Sequence, residues 1–294
     1  MSAFDIQAYL KEHKALIDRS LDRYLKKSKQ QPRTIYKAIH YGLFSGGKRL
    51  RPILTLASGE LFGGQQKVLM PFACALEMIH IYSIIHDDLP ALDNDDLRRG
   101  EPASHKIFGE GIALLAGDAL LTEAFHLMTR PQVARALEPS LILKLIHEIS
   151  HGAGVGGLVG GQAVDLEAEG READVATVEY IHVRKTGALI LTSARVGAII
   201  GGATPKEMRR ISRYAEFLGL AFQIADDIMD IAEHAGGGEV REKKKATYPA
   251  VVGLAAAKYR VQELLHQCLK EIDLFGKDAD PLRGIARYVV ERAV

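Results

Sequence analysis

The chain has 294 residues, and its 38 lysines and arginines nearly balance its 37 aspartates and glutamates, which leaves a formal charge of +1. This balance argues against a nucleic-acid partner, because a surface that follows phosphates usually makes the whole domain basic. Hydrophobic residues make up 47% of the chain, which excludes a disordered protein and suffices for a large core. The two cysteines, Cys74 and Cys268, lie far apart and offer neither a disulfide framework nor a zinc motif.

No basic stretch followed by an apolar core stands at the N-terminus, so no signal peptide is expected. Charges such as Asp118 and Arg195 interrupt the longest apolar runs, and none reaches the roughly 20 residues of a membrane helix. We therefore expect a cytoplasmic protein without stable membrane insertion.

Apolar residues recur at spacings of three and four over five long segments, whereas the alternation typical of strands is almost missing. The segments are 53–62, 68–86, 112–128, 178–200 and 208–231. They are separated by glycine pairs and prolines, at Gly46-Gly47, Gly63-Gly64, Pro131, Pro139, Gly201-Gly202 and Gly236–Gly238. Segments of this length that are apolar on most faces predict buried helices. We therefore predict an all-α fold in which residues 1–294 form a single domain, one large helical bundle.

The sequence HEISH, from His147 to His151, matches the HExxH pattern of zinc hydrolases. Zinc would need a third ligand, and Gly157 stands where one such family places a histidine. A histidine pair at a surface or helix end is the better interpretation, and a zinc hydrolase remains an alternative. Gly152, Gly154 and Gly157 favour close packing of helices, because a missing Cβ lets backbones approach.

Aspartates cluster twice, each time after a strongly apolar segment: Asp87, Asp88, Asp93, Asp95 and Asp96, and then Asp226, Asp227 and Asp230. Like charges at this density repel one another unless a cation neutralises them. Asp226 and Asp230 lie one helical turn apart, and Pro90 should end the first helix so that the chain can bring Asp93 back towards Asp87. Sites made of carboxylate oxygens indicate Mg²⁺, which usually carries a phosphate-bearing ligand.

Basic groups accompany both aspartate clusters, as a phosphate ligand would require. They are Lys48, Arg49 and Arg51 after the Gly46-Gly47 turn, Arg98 and Arg99 after the first cluster, Lys185 before Thr186, and Lys243, Lys244 and Lys245 after the second cluster. One such run is usually a solvated face. Their repeated pairing with aspartates favours diphosphate binding, since arginine forks bind phosphate oxygens in pairs.

Taken together, these motifs resemble those of the trans-prenyl diphosphate synthases, a family of all-α enzymes that elongate isoprenoid chains, and most closely bacterial farnesyl diphosphate synthases. The matching strings occur in family order over most of the chain: Gly46–Pro52, Glu77–His80, Asp87-Asp88 with Asp93, Arg98–Gly100, Gly117–Leu121, Gly160–Gln162 with Asp165, Lys185-Thr186, Phe222-Gln223 with Asp226, Asp227 and Asp230, and Lys245–Pro249. The resemblance implies an isoprenoid-synthase bundle with the active site in a central cavity, and a homodimer that acts on small isoprenoid diphosphates.

The resemblance also assigns roles to individual residues. It places about three Mg²⁺ ions on the allylic diphosphate, with metal-binding aspartates Asp87, Asp88, Asp93, Asp226, Asp227 and Asp230. It gives further contacts with that diphosphate to Arg98, Lys185, Thr186, Gln223 and Lys245, and contacts with isopentenyl diphosphate to Lys48, Arg51, His80 and Arg99. Among these, Lys185, Thr186 and Gln223 would stabilise the allylic cation.

We expect Tyr82 and Ser83 to set product length, because they lie five and four residues before Asp87 and hence ~6–7.5 Å deeper along the helix, where they should line the tunnel. A tyrosine ring there would plug the tunnel for the growing chain, although an ordinary core tyrosine is an alternative. The plug, with the enlarged first aspartate motif, resembles enzymes with a fifteen-carbon product.

Two departures from the family pattern stand out. Ala103 replaces a usual threonine, and the span from Asp230 to Lys245 is about five residues shorter than expected, with Gly236–Gly238 in place of a Gly-Lys. One lysine–phosphate contact is therefore in question.

Several other functions remain open alternatives. A geranylgeranyl diphosphate synthase differs mainly in tunnel depth. A class I terpene cyclase would lack Lys48, Arg51 and His80, and a non-catalytic partner subunit would have degraded aspartates.

Overall fold

The computed structural model describes residues 4–25, 32–171, 173–235 and 247–292. Its α-helices are, in chain order, α1 (Ile6–Leu25), α2 (Arg33–Phe44), α3 (Leu50–Leu61), α4 (Gln66–Asp87), α5 (Ser104–Phe108), α6 (Glu110–Met128), α7 (Pro131–Ala134), α8 (Pro139–Ala153), α9 (Leu158–Ala168), α10 (Val175–Ile181), α11 (Ala188–Gly201), α12 (Pro205–Ala235), α13 (Tyr248–Val252), α14 (Leu254–Ile272) and α15 (Asp280–Glu291). The all-α prediction is confirmed.

Among the described residues, four short elements depart from the α-helical pattern. A π-helix spans His182–Gly187 between α10 and α11, and a 3₁₀-helix spans Asp273–Ala279. Strands β1 (Leu97–Arg98) and β2 (Glu101–Pro102) pair antiparallel across a two-residue turn. The residues of that turn, Arg99 and Gly100, both have positive φ, as the tight hairpin turn with matching twist requires.

All five predicted segments are helical, and the breakers lie where they were expected among the described residues. The segment predicted as 53–62 is α3, 68–86 is α4, 112–128 is α6 and 208–231 lies within α12. Pro131 and Pro139 each begin a helix, because a missing N–H costs nothing in the first turn. The segment 178–200 is one continuous run divided by the π-helix.

Contacts divide the chain into two compact units, each of which we describe by itself. The first, which we call the N-terminal unit, comprises Gln7–Leu56 and Gln65–Ile146. The second, the C-terminal unit, comprises the described residues of Met1–Ile6, Ala57–Gly64 and His147–Val294. The first aspartate cluster belongs to the N-terminal unit and the second to the C-terminal unit.

In the C-terminal unit, α12 carries both an apolar face and the second aspartate cluster. Ala221, Ile224, Ala225 and Ile228 are buried against a core that includes residues of α14. Since helical neighbours lie three and four residues apart, this stripe leaves Asp226 and Asp230 on the opposite, more exposed face.

Two described stretches, Gln66–Asp87 and Glu110–Ala134, are long and apolar enough to cross a membrane by length and composition. The prediction that no stretch reaches this length is therefore wrong, since few charges interrupt either helix. In the first stretch 83% of the apolar window is buried inside the protein, as in the core helix of a globular protein. The second, which contains α6, has only 39% of its window buried.

The two cysteines are free and buried, one in each unit. Cys74 lies on α4 and is 0% exposed, and Cys268 lies on α14 and is 1% exposed. Burial raises the pKa of both thiols well above the ordinary value.

Candidate active site

The first aspartate cluster is built on a chain reversal at the end of α4. The helix ends at Asp87, and the backbone N–H of Asp93 donates to the carbonyl oxygen of Asp87 at 2.8 Å. Asn94, with a positive φ, completes the reversal. The prediction that the segment around Pro90 breaks the helix and returns Asp93 to Asp87 is confirmed.

Asp88 faces inward and is paired with Arg98. Its carboxylate is 3% exposed and accepts hydrogen bonds from Nε of Arg98 at 2.8 Å and from Nη2 of the same side chain. Nη2 also donates to Asp95 at 2.9 Å. Burial raises the pKa of Asp88, and the hydrogen bonds from Arg98 offset only part of this effect. Arg98 is thus held beside the first aspartate cluster.

Of the basic residues after the Gly46-Gly47 turn, Arg49 turns into the interior. It is 2% exposed and donates to Asp18 at 2.8 Å, to Glu77 at 2.9 Å and to the carbonyl of Leu43. Removing either partner of such a buried pair is costly, because an uncompensated charge remains. Arg49 therefore fixes the turn, and Asp18 is a partner that the sequence pattern did not reveal.

Around the same turn, Arg51, His80 and Arg99 form a positively charged group. Arg51 donates to Nε2 of His80 at 3.1 Å, and Nη1 of Arg99 donates to the carbonyl of Gly46 at 2.7 Å. A Cβ on Gly47 would lie 2.7 Å from Nη1 of Arg99, so glycine leaves room for the guanidinium. Burial and the neighbouring arginines hold the pKa of His80 well below its ordinary range. The positive charge of these guanidinium groups favours an anionic ligand, and the neutral imidazole adds no negative charge to oppose it. Lys48, the fourth predicted member of the group, is exposed.

Tyr82 is a buried wedge one and a half turns before Asp87. It is 7% exposed, and its ring packs edge-on against His86 with centroids 5.6 Å apart. His86 in turn contacts the carbonyl of Leu114 on α6 through Nε2 at 2.9 Å. A Cβ on Gly117 would lie 2.2 Å from that nitrogen, so α6 leaves no room behind the pair. Ser83 is buried and donates to the carbonyl of His80 at 2.8 Å.

In the C-terminal unit, the π-helix carries Lys185 and Thr186. Nζ of Lys185 donates to Asp165 at 2.6 Å, and Oγ1 of Thr186 donates to Oε1 of Gln223 on α12 at 2.7 Å. A Cβ on Gly161 would lie only 2.1 Å from the backbone nitrogen of Lys185. A π-helix is rare and often marks a functional site. Periodicity alone predicted a plain helix here.

Asp227 anchors the side chains around it. Gln223 donates to its Oδ1 at 3.1 Å, and the backbone N–H of Tyr248 donates to its Oδ2 at 2.8 Å. Nε2 of His182 lies 3.2 Å from the same Oδ2. His182 and Tyr248 are participants that the sequence analysis missed, and only the spacing of His182 three residues before Lys185 hinted at it.

Asp226 and Asp230 complete the second cluster on the more open side of α12. Asp226 is partly exposed and has Nη2 of Arg292 at 3.4 Å from its Oδ1, and Asp230 is exposed. The two lie one turn apart on a continuous helix, as predicted. Arg292 had not been predicted, because it lies far away in sequence.

The donors of both clusters fit Mg²⁺, a hard cation that prefers carboxylate oxygens. Among the described residues, no group of three or more histidine, cysteine, aspartate or glutamate side chains could hold a metal by itself. Mg²⁺ typically needs only one or two carboxylates when water and substrate phosphates supply the other ligands. Within the N-terminal unit Asp87 and Asp93, and within the C-terminal unit Asp226, each carry carboxylate oxygens of this kind.

The HExxH segment does not form a zinc site in the part of the chain that the structure describes. His147 and His151 are exposed with ring centroids 6.5 Å apart, and Glu148 binds Arg195 at 2.5 and 3.0 Å. No third ligand joins them among the described residues. The following glycines pack closely as predicted, since a Cβ on Gly152 would lie 2.1 Å from Oγ1 of Thr192.

Lys245, together with Lys243, Lys244 and Gly236–Gly238, lies outside the described residues. Its contact with a diphosphate therefore stays a prediction.

Comparison with known proteins gives consistent results over the whole chain. The family model "Polyprenyl synthetase" matches residues 32–278. A farnesyl diphosphate synthase of Geobacillus stearothermophilus is 45% identical, covering 99% of each chain. A geranylgeranyl diphosphate synthase of Cyanophora paradoxa is 43% identical, covering 98% of this chain and 97% of its own. The crystal structure of an FPP/GFPP synthase from Zymomonas mobilis superposes with a TM-score of 0.88 at 37% identity, covering 97% and 98% of the two chains.

Proposed function

Because the chain belongs to the polyprenyl synthetase family and is thus a prenyltransferase, we propose that it makes (E,E)-farnesyl diphosphate. The reaction condenses isopentenyl diphosphate with dimethylallyl or geranyl diphosphate and releases pyrophosphate. Family membership supports the reaction type, whereas relatives are named for both farnesyl and geranylgeranyl products.

The observation that carries the farnesyl product is the position of Tyr82. Its buried ring lies five residues before Asp87, where a chain growing away from the first aspartate cluster would meet it. His86 and α6 support the ring from behind, so that it cannot easily swing aside. A rigid wedge at this depth stops growth earlier than a small side chain would.

Asp87, Asp93 and Asp226 are the proposed ligands of Mg²⁺, which when bound would neutralise the negative charge of the departing diphosphate. Asp88 and Asp227 have a different task, because their oxygens already accept hydrogen bonds from the protein. They hold Arg98 and Gln223 in place. Arg98 and Lys185 supply positive charge for the allylic diphosphate, and their aspartate partners orient them until it binds.

The chemistry proceeds by ionisation, condensation and elimination. The bond between the allylic carbon and the diphosphate oxygen breaks, and the diphosphate leaves with the electron pair. The Thr186 hydroxyl and Gln223 amide, joined by a 2.7 Å hydrogen bond, offer oxygen dipoles to the allylic cation. The isopentenyl double bond then attacks the cation, and the released pyrophosphate takes the proton that is lost.

Arg51, His80 and Arg99, with the exposed Lys48, form the proposed site for isopentenyl diphosphate. The glycine turn holds the guanidinium group of Arg99, and the neutral His80 holds that of Arg51. Forked guanidinium groups suit the paired oxygens of a diphosphate.

The test is a product analysis. Purified protein is incubated with Mg²⁺, isopentenyl diphosphate and either dimethylallyl or geranyl diphosphate, and the products are dephosphorylated and separated by chain length. We expect farnesol as the main alcohol and no turnover without Mg²⁺. Geranylgeraniol as the main alcohol would favour the second candidate, a geranylgeranyl diphosphate synthase, which the 43% identical relative supports.

We also propose a cytoplasmic homodimer. The exposed side of α6 carries Leu114 and Leu115, which are 46% and 52% exposed, and only 39% of the apolar window that contains this helix is buried. Exposed apolar surface of this kind often marks a protein interface. A second copy of this face would cover it. Sedimentation should then give twice the 32.2 kDa of one chain.

A further inference from the structure

A cavity of about 370 Å³ lies at the far end of α4 from the first aspartate cluster, entirely within the N-terminal unit. Its apolar lining comes from Tyr24, Pro71, Leu127 and Val133. Pro71 precedes Asp87 by sixteen residues on one helix, which places the cavity roughly 24 Å from that aspartate at ~1.5 Å per residue. The prenyl transfer reaction does not use these residues.

The charged side chains that line this cavity are all basic. Arg23, Lys67 and Arg130 line it, and none of its described lining residues is acidic. In a chain whose net charge is only +1, three cations without a carboxylate among the lining residues make this a positively charged pocket. A mainly apolar pocket with a few convergent polar groups is typical of ligand sites.

The side chain of Arg130 is held in place by three contacts. It donates to the carbonyl of Tyr24 at 3.3 Å, lies 5.7 Å over the Tyr24 ring, and has Glu123 at 3.6 Å. Burial raises the pKa of Tyr24 to about 12, so its hydroxyl stays protonated and can donate a hydrogen bond. A fixed guanidinium and a phenol donor above an apolar floor suit one anionic group on a short apolar chain.

We propose that this cavity is a second binding site, for an anionic amphiphile with a carboxylate or phosphate head and a short apolar chain. The head lies among Arg23, Lys67 and Arg130, and the chain packs on Pro71, Leu127 and Val133. A fatty-acid carboxylate and a prenyl or alkyl phosphate share this chemistry.

The chain contains no tryptophan, so a single introduced indole can report binding at the cavity alone. The exposed Gln132 lines the cavity, and a Gln132→Trp variant places the reporter there. Octyl phosphate, octanoate and octanol are titrated into this variant. We expect saturable fluorescence changes with both anions, the tighter one identifying the head group, and binding of octanol at least about tenfold weaker.

Charge variants in the same background locate the site. Lys67→Glu should weaken the anions about tenfold or more, whereas Lys144→Glu, an exposed lysine outside the lining, should leave binding unchanged. If Lys67→Glu proves unfolded by circular dichroism, Arg23→Glu takes its place. Equal binding in all variants, no saturation with either anion, or displacement by Mg²⁺ and pyrophosphate would each overturn the proposal.

Discussion

Asp88 and Asp227 are the second members of adjacent aspartate pairs, and they are 3% and 5% exposed. Each accepts hydrogen bonds on its carboxylate from a neighbouring side chain, Arg98 in one unit and Gln223 in the other. Asp87 and Asp226 are more exposed. Neighbouring residues of identical type therefore serve two purposes, since one presents oxygen outward and the other orients a polar side chain.

His182 acts through Asp227, and its replacement should slow the reaction without abolishing folding. Loss of the contact to Oδ2 frees Asp227, and with it Gln223 and Thr186. We expect His182→Ala to lower kcat by about 10–100-fold, the usual cost of losing such a supporting group, with little change in KM. His182→Gln, which keeps a donor, should recover part of the loss. Steady-state kinetics measure kcat and KM, with the exposed His147→Ala as the control. A kcat of His182→Ala equal to that of the wild type would contradict this role.

Tyr82→Ala should lengthen the product. Removing the ring opens space in front of His86, and a further isoprene unit can enter. Geranylgeraniol should then rise at the expense of farnesol in chromatography of the dephosphorylated products. Tyr259→Ala serves as the control, because this tyrosine of α14 is 74% exposed and removing its ring opens no space in the core. An unchanged product ratio in Tyr82→Ala would leave Tyr82 an ordinary core tyrosine.

The depressed pKa of His80 makes stability depend on pH. Below the ordinary pKa of about 6.5, the unfolded chain binds a proton at His80 that the folded chain rejects, so the free energy of unfolding falls as pH falls. Each pH unit costs up to about 1.4 kcal/mol from this residue. We expect the free energy of unfolding of His80→Gln to fall less on acidification than that of the wild type. Urea unfolding at pH 7.5 and 5.5 checks it, and a difference between variant and wild type that is the same at both pH values would refute it.

The residue types of the site could be predicted from sequence, but their orientations could not. Spacing identified Lys48, Arg49 and Arg51 as one basic group, yet Arg49 binds Asp18 and Glu77 in the interior whereas Arg51 contacts His80. Asp18 and Glu77 lie 31 and 28 residues away from Arg49. Long-range pairing of this kind leaves no local pattern.

At the scale of elements, the π-helix carries two of the side chains that we propose stabilise the allylic cation. It runs from His182 to Gly187 and so contains the anchor of Asp227 as well as Lys185 and Thr186. Glycines pack against its backbone on two sides, since a Cβ on Gly161 would lie 2.1 Å from Lys185 and one on Gly219 would lie 2.8 Å from Gly187. The clamp leaves the segment little freedom.

Gly161→Ala tests the clamp. The added methyl group would meet the backbone nitrogen of Lys185, which cannot move without shifting the π-helix. We expect a loss of about 1–3 kcal/mol in the free energy of unfolding and a fall in kcat. Gly111→Ala on α6 is the control, because nothing lies within 4 Å of its Cβ, and it should be neutral or stabilising by up to ~1 kcal/mol. Chemical denaturation and steady-state kinetics are measured on both variants. If Gly161→Ala had the same free energy of unfolding and the same kcat as Gly111→Ala, the close packing at Gly161 would not matter.

Periodicity predicted the helices of the five named segments, because burial of one face repeats along the sequence. The long helices α1 and α14 were not among those segments. The π-helix was not predictable, since over six residues its apolar pattern is the same as that of an α-helix. The hairpin of β1 and β2 is too short to alternate, and only the positive φ of Arg99 and Gly100 reveals its turn.

At the scale of the whole molecule, charge is segregated far more than the net value of +1 suggests. Carboxylates gather at the end of α4 and on α12, whereas guanidinium groups surround His80. Composition argued against a nucleic-acid partner but could not locate these groups. Their positions follow from which turns and helix ends the fold brings together within each unit.

The two buried thiols, finally, can report how often each unit opens. Cys74 and Cys268 belong to different units, and both are sealed from solvent with their pKa values raised by burial. A thiol reagent therefore reacts only during opening events that expose α4 or α14. If residues 1–294 behave as one cooperative domain, pulsed alkylation followed by mass spectrometry should find equal protection at both sites. Faster labelling of one cysteine would identify which unit opens first.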